Sequence, residues 1–144
     1  MTETAVKQFT LEEANATIPY VRRIVEDIVA EYQTWRDCIF RYEVIAAESK
    51  ADEGETEGQE QLRVEVDDIA KRISAFIDEV TQVGCVFKGL DGGLVDFQAR
   101  REGRDIYLCW RPEEPEIGYW HELEAGFAGR QPVTPDFRTD EVGE

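Results

Sequence analysis

A chain of 144 residues can bury one modest core without disulfide or metal staples, and the whole of 1–144 fits a single domain. Thirty-two acidic against sixteen basic side chains leave a net charge of −16, which speaks against nucleic-acid and anionic-membrane surfaces, because phosphates reward Lys and Arg. The polar opening MTETAVKQ has no basic leader, and no apolar run is long enough to span a bilayer. Cys38, Cys85 and Cys109 lack CxxC spacing, so reduced thiols and a cytoplasmic location are expected.

The helical half covers 9–84. Thr10 and Glu13 have the spacing of a capping box, in which hydroxyl and carboxylate each take the other's backbone N–H. The following NATIP at 15–19 is expected to break this first turn, with Pro19 in the opening turn of a second helix. From there Val21, Val25, Ile28, Tyr32, Trp35, Ile39, Tyr42 and Ala46 alternate four and three apart, a heptad seam for a partner helix. Ile24, Cys38 and Ile45 broaden the seam beyond what one helix covers, which predicts self-association as a dimer. SKADEGETEGQE at 49–60 reads as a mobile loop. Its acids lack the ligand periodicity of a calcium loop. The seam resumes at Leu62, Val66, Ile69, Ile73, Phe76, Val80 and Val83, and Gly84 is its natural stop.

The second half, 85–132, reads as a β-hairpin and loop region, followed by a tail at 133–144. LVDFQA at 94–99 and RDIYLCW at 104–110 alternate like strands. A two-residue turn at Glu102 and Gly103 puts Val95, Phe97 and Ala99 opposite Trp110, Leu108 and Ile106, all on one face. The other face then pairs Asp96 with Cys109, Gln98 with Tyr107 and Arg100 with Asp105. The predicted class is α+β: a long antiparallel helical hairpin packed with a small antiparallel β-sheet.

Several stretches resemble a bacterial family catalogued as domain of unknown function 2203. They are FTLEEAN at 9–15, GCVFK at 84–88, GLVDF at 93–97, YLCW at 107–110, EPEI at 114–117, WH at 120–121 and GFAGRQP at 126–132. Gln98 stands where the family pattern has proline. The resemblance implies a bacterial cytosolic protein and brings no established activity or catalytic residue.

The candidate chemistry is sparse. His121 is the single histidine. As a metal ligand it would recruit Asp96 and Cys109, with Glu116 or Glu122 as further donors, yet the spacing does not specify a site. The commoner role is a partly buried histidine beside Trp120. A cysteine nucleophile is disfavoured, because the Asp96 carboxylate raises the Cys109 pKa. A serine hydrolase is equally poorly supported by Ser49, in the loop, and Ser74, on a helix. A ligand site, if present, is expected where Trp110, Glu116, Trp120, His121 and Arg130 converge on proline-rich loops. His121 and Arg130 form a small basic island suited to a small anion or carboxylate. No cofactor is specified, and catalysis is left open beside two classes, a self-associating interaction module and a small-anion or metal-binding protein.

Overall fold

The computed structural model describes residues 7–49 and 54–141. Helix α1 spans Leu11–Glu48 and α2 spans Glu57–Val83, followed by strands β1 (Val86–Phe87), β2 (Val95–Arg101), β3 (Arg104–Trp110), β4 (Tyr119–Glu122) and β5 (Gln131–Pro132). The strands form one sheet in the order β1-β2-β3-β4-β5, with every pair antiparallel. The helices pair antiparallel: Arg72 bonds Glu31, and Tyr42 bonds Glu55 at the start of the returning arm. The expected α+β hairpin-and-sheet class is therefore present.

The Thr10 capping box forms, with Glu13 N donating to Thr10 Oγ1 at 3.1 Å and Thr10 N to Glu13 Oε1 at 2.9 Å. The expected break at 15–19 does not occur. α1 runs unbroken for 38 residues, about 57 Å, with Pro19 inside it. Pro19 removes only one backbone donor, and the turns around it are anchored from both sides. Ile18 and Val21 are buried, and Asn15 Oδ1 accepts the Ile117 N–H at 2.8 Å.

α2 starts four residues earlier than the predicted loop allows. Thr56 and Gln59 form a second capping box, so 57–60 is helix, although glycine and acids dominate the segment. Of the predicted loop, 50–53 lies outside the described residues. Gly84 ends α2 at φ 107°, and a Cβ there would lie 2.6 Å from Lys7 Cβ.

The β2–β3 register is the one predicted, down to Asp96 opposite Cys109 and Arg100 opposite Asp105. Glu102 and Gly103 take φ of 54° and 78°, the left-handed pair of a type I′ turn. β4 and β5 extend the sheet beyond the predicted hairpin. Val95, Phe97, Leu108, Trp110 and Trp120 face the helices and join Ile18, Val21, Val25, Ile28, Ile69 and Val80 in one core.

Residues 133–141, expected as a tail, are sewn into the fold. Phe137 is buried, Thr139 Oγ1 accepts the Leu11 N–H, and Asp140 caps the β2–β3 turn by accepting from Glu102 N and Gly103 N at 3.0 and 2.8 Å. The last three residues of that predicted tail, 142–144, lie outside the described residues.

Beyond Ile28 the hairpin outreaches the sheet, and Tyr32, Trp35, Tyr42, Ile45 and Val66 are only partly covered. Ile24 and Cys38, predicted to broaden the seam toward a second subunit, are instead buried within the chain. No described helix is long and apolar enough to cross a membrane.

Candidate metal centre

Strand pairing brings three chemically distinct side chains together. β2 sets Asp96 opposite Cys109 on β3, and β3 sets Tyr107 opposite His121 on β4. All three lie on the sheet face turned away from the helices, and all three are buried. One donor atom from each (a carboxylate oxygen, the thiol sulfur and a ring nitrogen) lies within 4.8 Å of the other two. Among the described residues no other three His, Cys, Asp or Glu side chains form such a group.

The histidine is oriented by its neighbour. Its Nδ1 is 2.8 Å from the Glu122 carbonyl oxygen. A carbonyl only accepts, so Nδ1 carries a hydrogen, and Nε2 faces Asp96 Oδ2, 3.3 Å away. A proton shared between Nε2 and Oδ2, or a cation between them, would join the two groups. The 3.3 Å separation lies within hydrogen-bond and ion-pair range and leaves Nε2 and Oδ2 as neighbouring donor atoms. Asp96 is 3% exposed. Its Oδ1 is buried with no hydrogen-bond partner, a cost of about 1–3 kcal/mol for a group left unsatisfied.

Burial raises the Asp96 pKa above the ordinary carboxylate value, against the opposing pull of His121, Lys88 and the Cys109 thiol. The thiol is close enough to affect the carboxylate without making a hydrogen bond of full geometry to Oδ1. Cys109 is itself pushed up to about 11, first by burial and then by the Asp96 carboxylate, while Arg130 pulls the other way. The thiol thus keeps its proton at neutral pH and is a poor nucleophile, as the register implied. A cation at this point reverses the balance, because thiols ligate as thiolates and a metal ion draws off the proton.

Aromatic and cationic side chains flank the trio. The Tyr107 ring packs 5.4 Å from the His121 ring, and Lys88 Nζ stands 5.7 Å above Tyr107. Tyr119 lies opposite Cys109 on β4, and the Arg130 guanidinium sits 4.1 Å over the Tyr119 ring. Arg130 Nη1 is also 3.5 Å from Glu114 Oε2, while Glu114 Oε1 accepts the Arg111 N–H at 2.8 Å.

The sheet divides the residues expected to form a ligand site. Trp110 lies in the core with its Nε1 donating to the Glu114 carbonyl, and Arg22 stacks 5.1 Å from its ring. Trp120 also faces inward, against Phe137. Glu116 is exposed on the β3–β4 connection. Only His121 and Arg130 reach the outer face, with Cys109 between them. Adjacent residues on a strand point to opposite faces, so Trp120 cannot share a site with His121. The metal set Asp96, Cys109 and His121 is the group that the fold gathers. Tyr107, Tyr119, Lys88 and Glu114 were missing from the predicted site; alternation along β3 places Tyr107 on the face of Cys109, whereas Tyr119 lies on β4, outside the predicted hairpin.

A helical hairpin on one face of an antiparallel sheet, with a buried Asp–Cys–His cluster on the other, defines a small α+β protein. The chain belongs to the DUF2203 family, described as an uncharacterized conserved protein, whose match covers residues 7–133. Neither the curated proteins nor the solved structures yield a match.

Proposed function

We propose that this protein binds a divalent first-row transition metal of the zinc class through Asp96, Cys109 and His121. The observation that carries this reading is the convergence of a ring nitrogen, a buried carboxylate with one oxygen that makes no hydrogen bond, and a thiol, whose donor atoms all lie within 4.8 Å of one another. One carboxylate and one thiolate balance a doubly charged cation, and the mixed N, O and S set suits zinc. The hydrogen bond from His121 Nδ1 to the Glu122 carbonyl is the outer-shell contact that fixes a ligating imidazole. Three free, buried thiols fit the reducing cytoplasm of a bacterial cell, the setting this reading assumes.

Metal-free protein, purified without a nickel column and titrated with zinc, should take up one equivalent per chain. Cys109→Ser, His121→Ala and Asp96→Asn should each weaken binding at least about tenfold while the helical circular dichroism persists. Absence of a binding event, or unchanged affinity in all three variants, overturns the reading.

A second reading, self-association as a dimer, rests on the distal hairpin. Phe40 and Val44 lie one turn apart on α1 and are 67% and 41% exposed.

A further inference from the structure

We propose that the metal centre is closed: Asp96 holds the cation with both carboxylate oxygens, Cys109 and His121 complete four protein donor atoms, and the cation fastens β4 to β2 and β3. The inference rests on the metal reading above and assigns that site a structural role.

Zinc with four protein donors is a structural cross-link, whereas zinc with three keeps its last position for water or substrate. Three residues stand at this site, so the count turns on Asp96. Its Oδ2 lies 3.3 Å from His121 Nε2, and its Oδ1 is buried without accepting a hydrogen bond. A buried carboxylate oxygen left in that state is costly, and a cation shared by both oxygens removes the cost. Burial points the same way. Cys109, Asp96 and His121 are 0%, 3% and 4% exposed, so the donors are shut off from bulk solvent. With the carboxylate and a thiolate already balancing a divalent ion, an added anion would bring uncompensated charge into the sheet.

The fold has a use for such a cross-link. β2 and β3 hold each other over seven residues and are joined by a two-residue turn. β4 has only four residues, and the connection that leads to it contains Pro112 and Pro115. Its outer neighbour β5 is two residues long, and one of them, Pro132, has no N–H to give. Trp120 anchors the inner face of β4 against Phe137. A cation on His121 anchors the outer face and ties it to the best-held pair of strands.

Cobalt(II) reports its coordination through visible bands, and a thiolate ligand adds a charge-transfer band. The cobalt-loaded parent should show that band, and azide, an outside ligand that enters open positions, should leave the spectrum unchanged. Loss of the ion to a chelator should proceed at a rate independent of chelator concentration, because opening of the strands limits it. Asp96→Asn removes one charged oxygen donor, so this variant should bind cobalt more weakly and acquire a saturable response to azide. Hydrogen exchange of the β4 amides should slow at least about tenfold when the metal-free protein takes up zinc.

Failure to bind cobalt sinks the metal reading itself. An azide response in the cobalt-loaded parent, or metal loss that quickens with chelator concentration, leaves the metal reading intact and overturns the closed centre. Equal exchange at β4 with and without zinc overturns the cross-link. Cobalt-loaded Asp96→Asn that ignores azide overturns the two-oxygen role of Asp96. If that variant holds no cobalt, the azide and chelator results on the parent decide.

Discussion

Cys85 is buried at the junction between α2 and the sheet, with its sulfur 3.5 Å from the Val80 carbonyl oxygen. Burial pushes its pKa up to about 12, whereas an unfolded cysteine titrates near about 8.5. The folded pKa is raised, so the unfolded chain loses its proton first, and stability that is complete below about 8.5 drains away as pH rises toward about 12. Within that window the loss attributable to Cys85 should approach about 1.4 kcal/mol per pH unit. Urea denaturation of the metal-free protein at pH 8 and pH 10 should show the decline, and Cys85→Ala should flatten it by that amount. An identical slope in the variant would refute the assignment. The residue scale was also where the sequence was least legible. Asp96 and Cys109 could be paired from alternation because a two-residue turn fixes their register. His121 could not, since the residues between β3 and β4 carry no local signal that sets Tyr107 opposite His121.

At the scale of elements, the β2–β3 turn shows how distant parts hold a local shape. Glu102 carries φ 54°, a conformation that side chains other than Gly and Asn adopt rarely, and both carboxylate oxygens of Asp140 accept N–H groups from the turn. Asp140→Ala should therefore lower stability by about 1–3 kcal/mol, measured by thermal or urea unfolding, and Glu102→Asn in the same background should recover part of it. No loss in Asp140→Ala would mean that the turn is self-sufficient. Short elements with a strong chemical signature, such as the Thr10 capping box and the Glu102–Gly103 turn, were legible in advance. α1 was read as two pieces because Pro19 is a local signal, and the burial of Ile18 and Val21 overrides it. The start of α2 was missed because the Thr56–Gln59 box lies in a segment whose composition resembles a loop.

For the whole molecule, the hairpin and sheet were legible because heptad and alternating patterns both declare their buried faces. Of the three residues first offered as grounds for a dimer, Ile24 and Cys38 are spent on the chain's own core, while Ile45 is only partly covered. The exposed Phe40 and Val44 add to Ile45, and all three compete with the repulsion between two chains of charge −16. Sedimentation at micromolar concentration should show dimer at about 0.15 M salt, where screening is effective within about 8 Å, and more monomer at low salt. Phe40→Glu should leave monomer alone. Monomer at every salt concentration rules the dimer out.

The stitching of residues 137–140 to the start of the fold also sets an order of events. The Leu11–Thr139 bond joins positions 128 apart, while Phe9 and Asp140 give their N–H groups to carbonyls on either side of Ala99. The hairpin can zip from partners nearer in sequence, but Leu11 finds Thr139 only across a separation of 128 residues. Until then the Glu102–Gly103 turn lacks its cap and the edge of β2 near Phe9 lacks its neighbour. Closure of the sheet therefore comes after pairing of the helices in sequence order, with 137–140 as the clasp that fastens the β2–β3 turn and the start of α1 together.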